Sequence, residues 1–315
     1  YFNEYRDCPA IKSFKKYNLE GFGYGKPMYF MLCCNYNKGL LSFNEKLYNK
    51  QDQIGIFFKD KNKTNDFIHQ LNDFISVSKF DDFFDSNEDC YRKYVAAYKK
   101  IVDIVDVKKN LEQYYGIEQK SYNVILAPLI QAGGYGIKIE DEEELDDIYC
   151  IMGPIDMNNN NLLFYIEDLP KYIEYHSFIN PLVFKDRDKI NKNYKLAKLF
   201  KEVQSDMQKN SIGTVETFLD EYIVRTAVAR LINKYEGEDY YRRVIELEKE
   251  NFSFMGQDDY CILYLGNDDY AFGIKDDKLD EQHKFWKIQN NRDKYTTFES
   301  YYDEIIKCLS NIETE

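Results

Sequence analysis

The segment with the clearest chemical potential spans residues 172–181 and reads YIEYHSFINP. It contains His176, one of only three histidines in the chain. A helix with His at positions i and i+4, and Glu directly after the first His, turns two imidazoles toward one zinc ion and supplies a general base. In that H-E-x-x-H pattern His176 would be the second ligand, but Tyr172 occupies the first-ligand position and Ile173 the general-base position. A neutral phenol is a poor zinc ligand and isoleucine cannot accept a proton, so the motif is degenerate at both positions.

A second candidate is the glycine-rich stretch GGYG, which comprises Gly133, Gly134, Tyr135 and Gly136. It lacks the G-x-G-x-x-G spacing of a dinucleotide-binding loop and carries no basic residue, so it does not predict nucleotide binding. Two interpretations stay open. The glycines supply turn geometry, or they belong to an exposed strand that pairs with an extended peptide.

Other patterns in the chain point to catalysis less clearly. His69 and His283 lie in no recognisable motif, and there is no G-x-S-x-G element. None of the seven cysteines forms a C-x-x-C pair, which favours buried free thiols in a reducing compartment. Residues 140–147 include seven carboxylates in eight positions without calcium-loop spacing, and they predict a solvated loop.

Composition limits the class of protein and of partner. The chain has 315 residues, 44% of them hydrophobic and 17% aromatic, which is enough for a large folded core. We expect one domain over residues 1–315, because no internal repeat or linker-like stretch interrupts it. A net charge of −13 argues against a nucleic-acid partner, and no apolar run approaches the roughly 20 residues of a membrane span. A cytoplasmic location is favoured, and export stays open because the chain begins with Tyr1, so a leader could have been removed.

The periodicity of apolar residues predicts the elements that position these candidates. Residues 80–115 have apolar side chains at three- and four-residue steps, which predicts helix with one apolar face formed by Tyr91, Tyr94, Val95, Tyr98, Ile101, Val102 and Val105. Three β-rich segments follow, and we expect a single sheet from residues 124–129, 135–139 and 148–152. Alternation in the last two segments predicts one buried and one exposed face.

The rest of the chain is predicted to be mainly helical. The helix that carries His176 is expected to end near Asn180 and Pro181, because proline stops helices. Two further helices are predicted at 196–207 and 217–232. A hairpin at 261–274 has turn residues at its centre, and a last helix covers 298–309. This order of elements predicts an α+β fold with a helical majority and one mixed sheet.

Three segments taken together resemble an uncharacterised bacterial family of zincin-like, gluzincin-type metallopeptidases. They are LAPLIQAGGYG, the helix that reads HSFINPL from His176, and DEYIVRTA about forty residues later. The sequence NRDKYTTFESYYDEI also resembles the C-terminal helix of that family, so the resemblance spans residues 80–309 and is weakest before them. In the family the first helix carries H-E-[FY]-x-H-S-F-x-N-P.

The resemblance implies that Glu221, on the later helix, is the third zinc ligand. It also implies that His176 and Glu221 face one cleft, bordered by the mixed sheet, with side chains about 3–6 Å apart. Read without the resemblance, His176 is a partly buried histidine bonded to a nearby carboxylate or carbonyl, and Glu221 is a surface acid or a partner of Arg225.

Two functional hypotheses follow. In the first, the chain is a non-catalytic binding or structural module with a degenerate metal site, no resident zinc, and a peptide or protein ligand in the cleft. In the second, it is an active zinc-dependent metallopeptidase that recruits an unconventional ligand, Glu174 or Tyr172. Because both the first His and the Glu base are missing, the sequence favours the first hypothesis.

Overall fold

The structure is a computed structural model. It describes residues 1–23, 25–49, 60–99, 104–130, 133–140, 145–154, 156–158, 161–163, 169–209, 212–239, 263–264, 270–271 and 294–310. These ranges are rich in helix and contain small sheets, one of them mixed, which confirms the predicted α+β class. The chain divides into two compact units. The first unit contains Tyr1–Asp103 and Gln119–Pro170, and the second contains Ile104–Glu118 and Lys171–Glu315. The single zincin-like domain expected over residues 1–315 stays a prediction.

The first unit begins with helices. After a short 3-10 helix at Phe2–Tyr5, they are α1 (Pro9–Leu19), α2 (Lys26–Leu32), α3 (Glu45–Asn49), α4 (Lys61–Val77), α5 (Phe80–Ser86) and α6 (Glu88–Lys99). Their boundaries follow local sequence signals. Pro9 occupies the first turn of α1, where its missing N–H costs nothing, and the Asp60 carboxylate caps α4 by accepting from the Asn62 backbone N–H at 2.9 Å.

The predicted helical region 80–115 is confirmed in its described residues, as α5, α6 and α7 (Ile104–Tyr115). One member of the expected apolar face is wrong. Tyr98 is buried, but Val95 is 43% exposed. Ile101 and Val102, and the side chain of Val105, lie outside the described part of the chain.

Two small hairpins accompany these helices. The first pairs β1 (Cys34–Asn37) with β2 (Leu40–Phe43) around a turn in which Gly39 has a positive φ of 80°. Asn72 of α4 binds the backbone of β2: its amide oxygen accepts from the Leu41 N–H at 2.7 Å and its amide nitrogen donates to the Leu41 carbonyl at 2.9 Å. A second antiparallel pair joins β6 (Asp156–Asn158) and β7 (Asn161–Leu163).

The central sheet of the first unit contains the three strands predicted to share a sheet. They are β3 (Ser121–Leu126), β4 (Gly133–Ile139) and β5 (Asp147–Gly153), arranged in the order β3-β5-β4. β5 lies in the middle, parallel to β3 and antiparallel to β4, so the sheet is mixed. The predicted end of the first strand at residue 129 is wrong. After the Ala127 N–H bonds Met152 at 2.8 Å, Pro128 has no N–H to continue the ladder.

Burial alternates along β4 as predicted, although its second face is half-buried and not exposed, and the alternation fails along β5. In β4, Tyr135, Ile137 and Ile139 are buried against Tyr29, Phe30 and Phe67 of the helices. β5 alternates only at first, and from Cys150 to Gly153 every residue is buried, because a central strand is covered on both faces. The glycines of GGYG therefore lie inside a strand, which makes their interpretation as a turn wrong.

The acidic segment at residues 140–147 is more than a solvated loop. Lys138 of β4, whose side chain is only 17% exposed, forms ion pairs with Glu140 at 3.2 Å and with Asp146 at 3.1 Å. Asp147 begins β5 and accepts a hydrogen bond from the Ser121 hydroxyl. At its two described ends the segment therefore has protein partners, which the prediction of a solvated loop did not include. Residues 141–144 lie outside it.

The described cysteines fit the expectation of free thiols. Cys33 and Cys150 are buried, whereas Cys8, Cys34 and Cys90 are half-buried and free. Burial raises the pKa of both Cys33 and Cys34 to about 12, which keeps these thiols protonated and unreactive near neutral pH.

The second unit is almost entirely helical in its described residues. Its elements are α7, α8 (Leu169–Lys185, with its first two residues in the first unit), α9 (Arg187–Lys192), α10 (Tyr194–Lys209), α11 (Val215–Glu236), β8 (Leu263–Tyr264), β9 (Tyr270–Ala271) and α12 (Phe298–Leu309). The predicted helices at 196–207, 217–232 and 298–309 are confirmed as α10, α11 and α12. β8 and β9 pair antiparallel as the predicted hairpin requires, and the rest of 261–274 lies outside the described residues.

The predicted end of α8 is wrong. The helix continues through Pro181 to Lys185. Proline removes one backbone hydrogen bond, but Phe178, Ile179 and Val183 on either side of it are all buried. Burial of these apolar side chains outweighs the local cost of the proline, so the helix extends past it.

The described helices include none that is both long and apolar enough to cross a membrane.

Candidate functional site around His176

α8 places His176 beside a buried face. Ser177, Phe178 and Ile179 are all buried, and the Phe178 ring stacks on Tyr115 of α7 with centroids 4.2 Å apart and planes 4° apart. This stacking fixes the rotation of α8 about its axis. His176 is consequently held at the margin of the core, with 23% of its side chain exposed.

α11 brings two carboxylates to the same place. The helix begins with a capping box, in which the Thr214 side chain accepts from the Thr217 N–H at 3.2 Å and the Thr217 hydroxyl accepts from the Thr214 N–H at 3.1 Å. Its apolar residues pack inward, including Phe218, Leu219, Tyr222 and Ile223. Asp220 and Glu221 lie between them in the sequence, with 17% and 24% of their side chains exposed.

Both ring nitrogens of His176 face side-chain oxygens. Nε2 lies 3.8 Å from Glu221 Oε1, within the predicted range of about 3–6 Å. Nδ1 lies 3.0 Å from Asn180 Oδ1 and 3.9 Å from Asp220 Oδ2. Since an amide oxygen only accepts, Nδ1 carries a proton and donates it to Asn180. The two carboxylates are at ion-pair distance, on opposite sides of the ring.

The charge state of His176 results from two opposing effects. Burial lowers the pKa of the imidazole, but Asp220 and Glu221 raise it more, to about 9 from the ordinary 6.5. Burial raises the pKa of Asp220, against the opposing effect of His176. At neutral pH His176 is therefore an imidazolium.

Near the site, Ser177 Oγ, Asp220 Oδ1 and the Tyr302 hydroxyl are buried with no hydrogen-bond partner among the described residues. Burial raises the pKa of Tyr302, and the charges of Asp186, Asp220 and Asp303 add to the effect. Asp220 thus directs one oxygen toward His176 while its other oxygen is buried without a partner.

The donors in the described residues do not fit a catalytic zinc ion. Such sites use three protein ligands and an open position, and in the described ranges no group of three or more His, Cys, Asp or Glu side chains is arranged to hold a metal. His176 and Glu221 supply two donors. Asp220 cannot be the third, because it lies at Nδ1 while Glu221 lies at Nε2, and one ion cannot bind both sides of the ring. The backbone at Tyr172, Ile173 and Glu174 is helical, and their side chains are outside the described set.

The GGYG residues belong to the first unit and the His176 site to the second. In β4, Tyr135 is 6% exposed, and Gly134 and Gly136 are half-buried. Among the described strands β4 pairs only with β5, so it is an edge strand. The Tyr29 hydroxyl donates to the Lys138 carbonyl. The expectation that this sheet borders a cleft at His176 stays a prediction.

Comparison with known proteins assigns the family. The family model described as "Domain of unknown function (DUF4932)" matches residues 1–258, well over half of the chain. The chain belongs to the DUF4932 family. The match includes His176 and Glu221, and it reaches residue 1, although the zincin-like resemblance was weakest before residue 80. No curated protein and no solved structure matches the chain.

In this DUF4932 protein, sequence reasoning missed two residues that contact the histidine. Asn180 lies four positions after His176, and polar side chains at that spacing meet on a helix, so this contact could have been predicted. Asp220 immediately precedes Glu221 in the quoted DEYIVRTA. No signal in the sequence distinguishes it from the other carboxylates, because the chain has 55 acidic residues.

Proposed function

We propose that this DUF4932 protein is a zincin-like protein with a degenerate metal site, and that it acts as a non-catalytic binding or structural module. The observation that carries the proposal is that both ring nitrogens of His176 face side-chain oxygens, those of Asn180 and Glu221. A zinc ligand must instead present an unprotonated ring nitrogen to the metal, whereas the neighbouring carboxylates raise the pKa of His176 to about 9 and keep the ring protonated near neutral pH. The positively charged His176 ring of α8 therefore pairs with carboxylates of α11, in the position where a zincin would hold its metal ion.

The chemistry of the missing residues supports the same proposal. A zinc peptidase needs a metal-bound water with a pKa near 7 and a base that takes its proton. Ile173 cannot act as that base, and losing a general base costs about 10²–10⁴-fold in rate. Tyr172 in place of the first His also lowers metal occupancy.

Support for a binding role comes from β4. An edge strand can accept an extended peptide through its backbone, and Gly134 and Gly136 put no side chain in the way. The Tyr29 hydroxyl already occupies the Lys138 carbonyl, so a peptide would pair next to the glycines. The ligand proposed here is an extended peptide or protein segment. The charge of −13 opposes nucleic acid.

The test is a zinc analysis of the purified protein together with a casein-cleavage assay. We expect less than stoichiometric zinc and no proteolysis. Stoichiometric zinc that a chelator removes, with loss of proteolysis at the same chelator concentration, would overturn the proposal and establish the active metallopeptidase instead. In that case Tyr172, Glu174 or another acid would be a ligand.

A second experiment restores the motif with the double substitution Tyr172→His and Ile173→Glu. If His176 and Glu221 occupy ligand positions, zinc affinity should rise by orders of magnitude over the unaltered chain. The matched control adds Glu221→Gln to the same double variant and should lose most of that gain. If the double variant binds zinc no better than the unaltered chain, the proposed relation of this site to a zincin metal site is wrong.

A further inference from the structure

A separate feature of the first unit is a cluster of aromatic rings that reaches the surface among carboxylates. The Phe80 and Phe84 rings stack with centroids 6.4 Å apart, and Phe84 contacts Tyr91 at 4.9 Å. Tyr36 of β1 meets Phe80 edge-on at 6.4 Å. We call these four rings, together with the carboxylates of Asp81, Asp85 and Glu88, the acidic aromatic patch.

The patch is held rigidly by the β1–β2 hairpin. The Tyr36 hydroxyl donates to one oxygen of Asp81, and a Cβ added at Gly39 would lie 3.2 Å from the other oxygen. The hairpin turn therefore packs closely against the Asp81 side chain of α5, which would have to shift if Gly39 carried a side chain. Inside the unit, Phe2 contacts Phe80 at 6.2 Å, so the exposed rings continue a packed aromatic cluster.

Two members of the patch remain open to solvent. Phe84 is 49% exposed and Tyr36 is 45% exposed. Isolated exposed apolar residues are common, but rings in mutual contact form a contiguous apolar surface of the kind that marks binding sites.

Most of the charges around the rings are negative. Between Phe80 and Tyr91 the sequence has five carboxylates and no lysine or arginine. On the surface of α5 Phe84 neighbours Asp81 three positions before it, Asp85 follows it directly, and Glu88 begins the next helix, α6. Glu88 pairs with Arg92 at 2.6 Å, and Asp85 is exposed. This surface repels anionic partners and attracts cations.

We propose that the acidic aromatic patch binds a basic segment of a partner protein, one that presents arginine beside an apolar side chain. An arginine guanidinium stacks on aromatic faces and pairs with carboxylates. Because the guanidinium is more weakly hydrated than the lysine ammonium, its desolvation at the patch costs less free energy. The apolar neighbour would cover Phe84. The interaction uses no residue of the His176 site and does not depend on the function proposed for it.

The test uses a fluorescein-labelled twelve-residue peptide of alternating arginine and leucine pairs, with fluorescence anisotropy of the full chain at low and moderate salt. We expect saturable binding that weakens as salt rises, since exposed charges are screened. Phe84→Ala should weaken binding by at least about threefold, from the lost stacking and apolar cover. Asp85→Asn with Glu88→Gln should weaken it at low salt and flatten the salt dependence. Far-UV circular dichroism checks that each variant folds.

Matched controls separate the patch from general acidity. Tyr194→Ala removes another ring, one that is 74% exposed, and Asp188→Asn with Asp239→Asn makes the same change in net charge elsewhere. Both controls should bind the peptide within about twofold of the unaltered chain. The same peptide with glutamate in place of arginine should not bind.

Several results would overturn the proposal. Equal weakening in patch and control variants would mean that the peptide responds only to overall charge. Absence of any binding by the basic peptide would also refute it. Concentration-dependent self-association that Phe84→Ala abolishes would identify a second copy of the chain as the occupant instead.

Discussion

The cluster of His176 with Asp220 and Glu221 predicts how folding stability depends on pH. The pKa of His176 is about 9 in the folded chain against 6.5 for an ordinary histidine, so the folded state binds the proton more tightly than the unfolded state. The resulting stabilisation is complete below pH 6.5, declines between pH 6.5 and 9, and is lost above that range. The difference between the two pKa values corresponds to a contribution of roughly 3 kcal/mol to the free energy of unfolding at low pH. Asp220 acts with the same sign, since its raised pKa also makes the folded state bind more protons.

The perturbation is Glu221→Gln, which removes the charge 3.8 Å from Nε2 and leaves the shape of the side chain nearly unchanged. We expect the variant to be less stable than the unaltered chain by about 1–2 kcal/mol at pH 6. The difference should shrink toward zero by pH 9.5, where the imidazole is mostly neutral in both proteins. Urea unfolding at pH 6, 7.5 and 9.5 measures the difference. NMR titration of the His176 ring, assigned with His176→Gln, gives its pKa directly.

The control is Glu299→Gln, which removes a surface ion pair with Lys185 at 2.8 Å. That pair does not involve a histidine, and exposed pairs contribute only about 0–1 kcal/mol, so its effect should be small and constant over the same pH range. A His176 pKa at or below 6.5 would refute the reasoning. So would a Glu221→Gln effect that stays the same from pH 6 to pH 9.5.

Three further substitutions test the fold, each by the change in the midpoint of urea unfolding. Gly116→Ala should lower the free energy of unfolding by at least about 1–2 kcal/mol, because Gly116 has φ +70° and an added Cβ would clash with the Thr296 carbonyl oxygen. An unchanged urea midpoint would contradict this. Asn72→Ala should lower the free energy of unfolding by about 1–3 kcal/mol, because it removes the side-chain partners of both the N–H and the carbonyl of Leu41. Neutral surface changes scatter by roughly 0.5 kcal/mol, so a smaller loss would mean that water replaces the side chain. Pro181→Ala should raise stability by up to about 3 kcal/mol by restoring a helical N–H donor; a loss would show that the proline ring packs favourably.

The sequence predicted which segments join the central sheet, but it could not predict their order. Alternation and β-branched content are local properties of a strand, and they identified all three strands. Which strand lies in the centre depends on pairing between residues far apart, such as Val124 with Cys150 and Tyr135 with Ile151. A local pattern carries no information about those partners, so the insertion of β5 between β3 and β4 could only come from the structure.

The error at Pro181 has a different cause. A proline is a strong local stop signal, and the prediction followed it. The helix continues because Ile179 and Val183 are buried on the same element, and tertiary packing overrides a local preference of a few kcal/mol. Packing of this kind depends on neighbouring helices, which a reading of one segment does not include.

The candidate site was predictable to the extent that its residue types are rare. Because the chain has only three histidines, His176 was one of few candidates for the site. The zincin-like resemblance pointed to Glu221. Acids are common here, so a second carboxylate on the other side of the ring could not be selected from the sequence. Asp220 nevertheless changes the chemistry of the site, because it places a second carboxylate beside the ring, at Nδ1.

The protonated state of His176 has a consequence for any zinc that a restored motif would bind. In the Tyr172→His and Ile173→Glu variant, zinc must displace a proton from His176, whose pKa is about 9. Between pH 8 and pH 6 that competition alone should lower the apparent affinity about a hundredfold, against about fourfold for a histidine with the ordinary pKa of 6.5. The introduced imidazole contributes only the smaller factor. Competition with a chromophoric chelator at the two pH values measures the ratio. A ratio that matches two ordinary histidines would mean that the carboxylates do not hold the proton, and the imidazolium could not be what replaces the metal.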